Sequence, residues 1–431
     1  MTPAGRASAA IEVLTDLAAR KRPAAEALKD WGLGHRFAGS GDRAAIGSLV
    51  YDCLRQRASS AFAMEDDSPR ALVLRALVSA WGMTPESMGT LCDGSRFAPE
   101  PLSDAEQAGL TRVLPPDAPS WVRGDYPQWL EAAFAGIFGA AAAEEGAALS
   151  LRAPVDLRVN TLKAKRDKVL KALARSNPSP PAYAAPGLRI APRQGPARTP
   201  NVEADAAHGK GWIEVQDEGS QIAALMSGAG PRQQVIDLCA GAGGKTLALA
   251  AAMENTGQLY AYDANRVRLR PIFERLRRAG ARNVQVLEAG QEDGLKPLRD
   301  RMDRVVIDAP CTGSGTWRRR PDAKWRLSPD MLAARVADQA AVLDAGAALV
   351  KPGGSLTYIT CSVLPPENRE QVDGFLSRHP DFAVKPWREA WDAAIDAEAP
   401  PSADGSDETL LMTPRSHGTD GFFVASLERR A

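Results

Sequence analysis

Five cysteines occur in the 431 residues, and two of them stand in matched surroundings. VVIDAPCTGSG (305–315) and TYITCSVLPPEN (357–368) each read as a buried strand that delivers one thiol, Cys311 or Cys361, onto the turn that follows. A cysteine is a nucleophile as its thiolate, which nearby positive charge or a helix N-terminus favours. The strand ends alone leave open which of the two reacts. Cys53, Cys92 and Cys239 form no CxxC pair, and His35, His208, His379 and His417 lack metal-ligand spacing. No metal and no disulfide framework is therefore expected, and a reducing, cytoplasmic setting is.

A second chemical signal is DLCAGAGGKT (237–246): a strand, a glycine-rich turn and a helix start. Small residues let the backbone approach a ligand, and free N–H groups at a helix start favour polar groups. A dinucleotide fingerprint beginning at Gly241 and Gly243 fails because Thr246 stands at its third glycine. A phosphate loop would have Gly244, Lys245 and Thr246 in place but needs glycine at Cys239, so a degenerate NTPase is a rival reading. The next strand ends in Tyr262-Asp263, 22 positions after Gly241. An acid there can reach a ribose hydroxyl pair, which a phosphate loop does not need. Turn and acid together point to an adenosyl cofactor without a phosphate chain, S-adenosylmethionine.

These residues need a scaffold, and the pattern supplies one. From 231 onward strands alternate with helices, which gives a Rossmann-like, doubly wound and mostly parallel α/β sheet. TLLMTP and GFFVASLER would close it with an antiparallel C-terminal hairpin. Residues 121–230 read as a small α+β module, with DLRVNTLKA a strand and a Pro-rich loop after a basic helix at 167–174. Residues 1–120 carry apolar residues at three-to-four spacing and read as all-helical. The expected domains are thus 1–120, 121–230 and 231–431. No run of about eighteen apolar residues is apparent, and the N-terminus lacks the apolar core of a signal peptide, so no membrane association is expected.

Formal net charge is zero, yet residues 151–200 carry eleven Lys/Arg against Asp156 and Asp167, whereas residues 389–414 carry seven acids and no base. Arginine is dense again in 266–282 and 318–326. Solvated helix faces are the bland explanation. Three basic segments in a neutral chain favour a polyanion, most simply nucleic acid. Trp317 and Trp325 flank the last of them and could stack on bases or fill a core.

The stretches DLCAGAGGKT, YAYDANRVRL, VVIDAPCTGSGTWRRRPDAKW, TYITCSVLPPEN and TDGFF, in this order, resemble the RsmB/Nop/Sun family of RNA cytosine-5 methyltransferases. LRVNTLK and EVQDEGSQIAA are similar to the family's upstream module. GDRAAIGSLVYDCLRQR and YPQWLEAAFAGIFG are similar to the RsmB type, whose first domain is like the helical antiterminator NusB. The resemblance implies cofactor contacts from Cys239, Ala240, Gly241, Ala242, Gly243, Gly244, Lys245, Asp263 and Asp308. It implies Cys361 as nucleophile and Cys311 as a helper in releasing product. Members usually hold the adenine with an acid after the third strand; LEAGQEDG (287–294) offers Glu288, Gln291, Glu292 and Asp293 without a clean register.

The implied chemistry suits the residues. Ring carbon five of cytosine is a poor nucleophile until a thiolate adds to carbon six, and the carbon-five proton must later leave. Asp308 could accept a hydrogen bond from the exocyclic amine of cytosine, which uracil lacks. Cys361 opens a turn toward a helix beginning near Pro366, whose free N–H groups would favour a thiolate, whereas the Asp308 carboxylate would raise the thiol of Cys311. Arg318, Arg319, Arg320 and Lys324 are the candidates for backbone contacts to a single-stranded or remodelled RNA. The expected partner is small-subunit ribosomal RNA, with transfer RNA or large-subunit RNA as alternatives. A monomer is expected. A non-catalytic RNA-binding assembly factor is the remaining alternative, and the intact Cys361, Cys311, Asp308 and Asp263 set speaks against it.

Overall fold

A computed structural model describes residues 1–197 and 200–431, leaving out the side chain of Glu292. Arg198, one base of the basic stretch, thus lies outside the described residues. Two compact units are formed. The first holds Met1–Arg152, a short piece beginning at Pro192, and Trp317–Leu327. The second holds the remaining residues and both sheets.

The first unit is helical because its alanine-rich segments repeat apolar positions every three to four residues and carry proper caps. Thr2 Oγ1 accepts the Gly5 N–H, Ser68 Oγ accepts the Ala71 N–H, and Ser103 with Glu106 forms a capping box. Helices Pro3–Arg20, Ser40–Arg55 and Pro69–Ser79 bury Val13, Leu14, Ile46, Leu49, Val50 and Leu74 together. Helices continue to Ser150, beyond the boundary expected near 120. One helical run, Gln128–Ser150, does reach the length and hydropathy of a membrane span, contrary to the reading that none exists. Part of it serves this unit's core: Leu130, Phe134, Phe138 and Leu149 are buried, Phe134 stacked 4.1 Å from Tyr126 and 6.1 Å from Trp317, whereas Trp129 is exposed.

In the second unit, β1 (Val155–Val159), β2 (Gly187–Ile190) and β3 (Ile213–Val215) make an antiparallel sheet in the order β2-β1-β3. The larger sheet contains β4 (Gln234–Asp237), β5 (Gln258–Ala261), β6 (Val284–Val286), β7 (Met302–Asp308), β8 (Val350–Thr360), β9 (Phe382–Lys385), β10 (Leu410–Met412) and β11 (Phe422–Arg429). Its order is β10-β11-β8-β7-β4-β5-β6, with β9 also pairing β11. Pairings from β6 through β8 are parallel, and β11 runs antiparallel to its neighbours. The sequence turns back at β4, so the carboxyl ends of β4, β5, β7 and β8 surround the crevice where such sheets bind ligands.

Candidate active site

β4 ends at Asp237 and the chain turns through residues 238–243 into helix Gly244–Ala252. Gly243 caps that helix at φ +86°, and a Cβ there would lie 2.6 Å from Ile272 Cγ1, so this position requires glycine. Asp263, beyond β5, is buried and accepts the N–H of Gly241 at 2.9 Å and of Asn265 at 2.7 Å. Its carboxylate therefore braces the glycine turn. A cavity of about 740 Å³ opens beside it, lined among others by Leu238, Cys239, Tyr262, Asp263 and Pro310.

These features fit an adenosyl group: walls that are apolar in part, through Leu238, Leu295, Pro310, Val342 and Leu349, a turn of small residues and an acid at its rim. Cys239 and Asp263 line the cavity, while Ala240, Gly241, Ala242, Gly243 and Gly244 form the turn behind it. Glu288, Gln291 and Asp293 do not line it.

Lys245 points elsewhere. Its Nζ lies 2.7 Å from Asp308 Oδ1, at the end of β7, and 5.2 Å from the Phe422 ring centre. The lysine that a phosphate-loop reading requires is thus committed to a carboxylate. Beneath this pair, Thr246 Oγ1 donates to Asp237 Oδ2 at 2.7 Å. Burial pushes the Asp237 carboxyl up to about 7, the Thr246 hydroxyl opposes the rise, and the neighbouring Asp308 charge adds to it.

The two thiols meet: Cys311 Sγ and Cys361 Sγ are 3.3 Å apart and not bonded as a disulfide. β7 and β8 are adjacent and parallel, paired from Arg304 opposite Ser355 to Asp308 opposite Ile359, which brings both turns to one place. The turns interlock. Gly315 N–H donates to Cys361 O at 2.9 Å, and Gly421 N–H to Gly315 O at 2.8 Å. A Cβ on Gly315 would lie 2.2 Å from Gly421 O, which explains the small residue in each stretch.

The surroundings of the thiols differ from expectation. The Cys311 thiol is pushed well up, first by its hydrogen bond to Cys361, then by burial, with the Cys361 and Glu367 charges adding. Glu367, rather than Asp308, is the carboxylate acting on it. The helix near Pro366 also does not offer free N–H groups to Cys361. Its turn spends them on hydroxyls: Ser362 N–H on Thr360 Oγ1, Val363 N–H on Ser314 Oγ, and Leu364 N–H on Ser362 Oγ. Among the described residues, the thiol of Cys311 stands within hydrogen-bond distance of Cys361 Sγ, at 3.3 Å.

Sequence reasoning missed Glu367 as a functional residue. Fully buried, it accepts the Thr312 N–H at 2.7 Å, the Thr312 hydroxyl, and Gln339 Nε2 at 3.1 Å. The carboxylate thereby clamps the Cys311 turn to the segment after Cys361. PPEN is plain in the sequence, but a carboxylate beside proline reads as solvated until its partners, 28 and 55 residues away, are known.

Two RNA-contact candidates are corrected. Lys324 lies in the interior of the first unit, its Nζ donating to Arg55 O at 3.1 Å and Ser150 Oγ at 2.9 Å. Burial pulls it down to about 7, against the attraction of Asp125, whose own carboxyl burial pushes up to about 6. Arg318 is buried as well. Arg319 is half-buried and Arg320 exposed. Trp317 and Trp325 fill the same interior, Trp325 Nε1 donating to Leu54 O. Of the histidines, His417 is buried, its ring lowered to about 4 by burial and its Nδ1 accepting the Thr413 N–H. No cluster of metal-ligating side chains occurs among the described residues.

Comparison with known proteins adds an independent line. Residues 226–428 match the family described as 16S rRNA methyltransferase RsmB/F. A probable ribosomal RNA small subunit methyltransferase B of Synechocystis is 34% identical over 310 residues, covering 70% of this chain and 67% of that one. Ribosomal RNA small subunit methyltransferase B of Thermus thermophilus is 32% identical over 332 residues, covering 76% and 71%. The solved protein PH0851 superimposes with a TM-score of 0.73 at 25% identity, covering 100% of this chain and 99% of that one.

Proposed function

We propose that this chain, which belongs to the RsmB/F family of 16S rRNA methyltransferases and is an S-adenosylmethionine-dependent RNA methyltransferase, methylates carbon five of a cytosine in small-subunit ribosomal RNA through a covalent bond to Cys361. The observation that carries this reading is the 3.3 Å approach of two cysteines with unequal surroundings.

Cys361 thiolate adds to carbon six of the ring, forming the Sγ–C6 bond and moving an electron pair onto carbon five. Asp308, oriented by Lys245, accepts from the exocyclic amine and selects cytosine. S-adenosylmethionine, which the 239–244 turn and Asp263 would hold, would supply an electrophilic methyl group to carbon five, its S–CH3 bond breaking to leave the neutral thioether. Once Cys361 is a thioether, the hydrogen bond that chiefly raised Cys311 is gone, so Cys311 loses its proton to water more readily. Its thiolate then takes the carbon-five proton, the electron pair restores the C5–C6 double bond, and Cys361 leaves as thiolate. The resting pair thus keeps the base masked until the nucleophile has been used.

The helical first unit is read as a NusB-like RNA-binding domain, followed by a small basic module and the catalytic domain. Sequencing of bisulfite-treated RNA from cells with and without the protein tests the target: one cytosine of small-subunit RNA should lose its protection. Protection lost only in transfer RNA or large-subunit RNA would overturn the assignment. Calorimetry with Asp263→Ala should show weakened binding of the methyl donor and its demethylated product; unchanged affinity would remove Asp263 from that site.

A further inference from the structure

The helical stretch Arg266–Ala279 sorts its side chains unusually. Leu269, Ile272, Leu276 and Ala279 face the core, as an amphipathic helix requires. Two arginines turn inward to the small sheet: Arg275 and Arg278 both reach the buried carboxylate of Glu214, at 3.0 and 2.7 Å. Arg266, Arg270 and Arg277 remain exposed and pair with no carboxylate among the described residues, and Glu274 is the single acid of the stretch. Between them stands Phe273, 62% exposed. A large aromatic held in water among unpaired cations is an arrangement that core packing does not explain.

The neighbouring surface continues the pattern. Gly211 packs against the end of this helix, where a Cβ would lie 2.0 Å from Arg278 O, and Asn160 Nδ2 donates to both Gly211 O and Ala279 O. Beside Gly211, the half-buried Trp212 has Lys168 Nζ 4.0 Å and Lys210 Nζ 4.8 Å from its ring. Cations beside aromatic rings, in a strip leading from the cofactor turn to the small sheet, are what a single-stranded nucleic acid uses: charges follow the phosphates and rings stack on bases.

We propose that the outer face of Arg266–Ala279, with Phe273 as a stacking platform and Arg266, Arg270 and Arg277 as phosphate contacts, binds a single-stranded segment of the substrate RNA. This rests on the RNA methyltransferase reading and extends it to a surface distinct from the thiols. RNA is favoured over a protein partner, because exposed arginines that no carboxylate neutralises among the described residues suit a polyanion.

Binding of a short single-stranded ribosomal RNA fragment is measured at several salt concentrations for wild-type protein, Phe273→Ala, and the double variant Arg270→Glu, Arg277→Glu. Phe273→Ala should weaken binding about fivefold or more. The double variant should weaken it further and reduce the log–log salt slope by roughly 2, about one for each arginine withdrawn from a phosphate. Melting temperature and methyl-donor affinity should stay as in wild type, since these side chains lie in solvent. RNA affinity and salt slope unchanged in both variants would overturn the proposal, as would a wild-type protein that does not bind the fragment. If the wild type methylates no ribosomal RNA at all, the functional reading fails separately; if it does while the variants bind normally, only this face is lost.

Discussion

Cys311 and Cys361 leave adjacent parallel strands, end 3.3 Å apart, and yet live in different chemical settings. The Cys311 turn is held by a carboxylate, Glu367, and its thiol is kept protonated first by the hydrogen bond to Cys361, then by burial, with the Glu367 charge a smaller addition. The Cys361 turn is held by hydroxyls, those of Ser314, Thr360 and Ser362, which satisfy the backbone without adding negative charge. Equal residues at equal positions thus sit in unequal electrostatic settings, to which the braces behind each loop contribute.

That asymmetry can be broken from either side. The largest effect is expected for Cys361→Ala, which should abolish methyl transfer to RNA in a radiolabelled-donor assay, since it removes the thiol that bonds carbon six. Cys311→Ala should lower turnover by about 10²-fold or more, the range of a lost acid–base group, with attack itself preserved. Glu367→Gln should cost roughly tenfold in turnover, because an amide cannot accept from both groups of Thr312 and Gln339 as the carboxylate does. Its donor affinity should not change, which a merely unfolded site would fail to show. Ser314→Ala, the counterpart on the other turn, leaves the buried Val363 N–H unpaired. It should destabilise the fold by about 1–3 kcal/mol in denaturant titration, with a smaller effect on turnover. Alkylation sharpens the contrast further. At mildly alkaline pH, mass mapping should find iodoacetamide on Cys361 before Cys311, whose raised thiol stays protonated; the reverse order would contradict the asymmetry.

Much of this is legible in the residues because it is local. Alternating strands and helices from 231, the glycine turn, Asp263, and a cysteine at the end of β7 and of β8 are all read from short windows. What stays hidden depends on long-range packing. Glu367 takes its role from Thr312 and Gln339, and RRRPDAKW reads as a solvated basic turn although Lys324 is enclosed. Helices past residue 120 are obscured by the Pro- and Asp-rich stretch Pro99 to Pro119, whose composition reads as a linker.

The most direct test of the division of labour is the covalent adduct. Wild-type protein, Cys311→Ala and Cys361→Ala are each incubated with methyl donor and small-subunit RNA, then run on a denaturing gel. Cys311→Ala should show a stable protein–RNA band, because attack proceeds and release stalls, while Cys361→Ala should show none. A band with Cys361→Ala and none with Cys311→Ala would contradict the assignment and exchange the two roles.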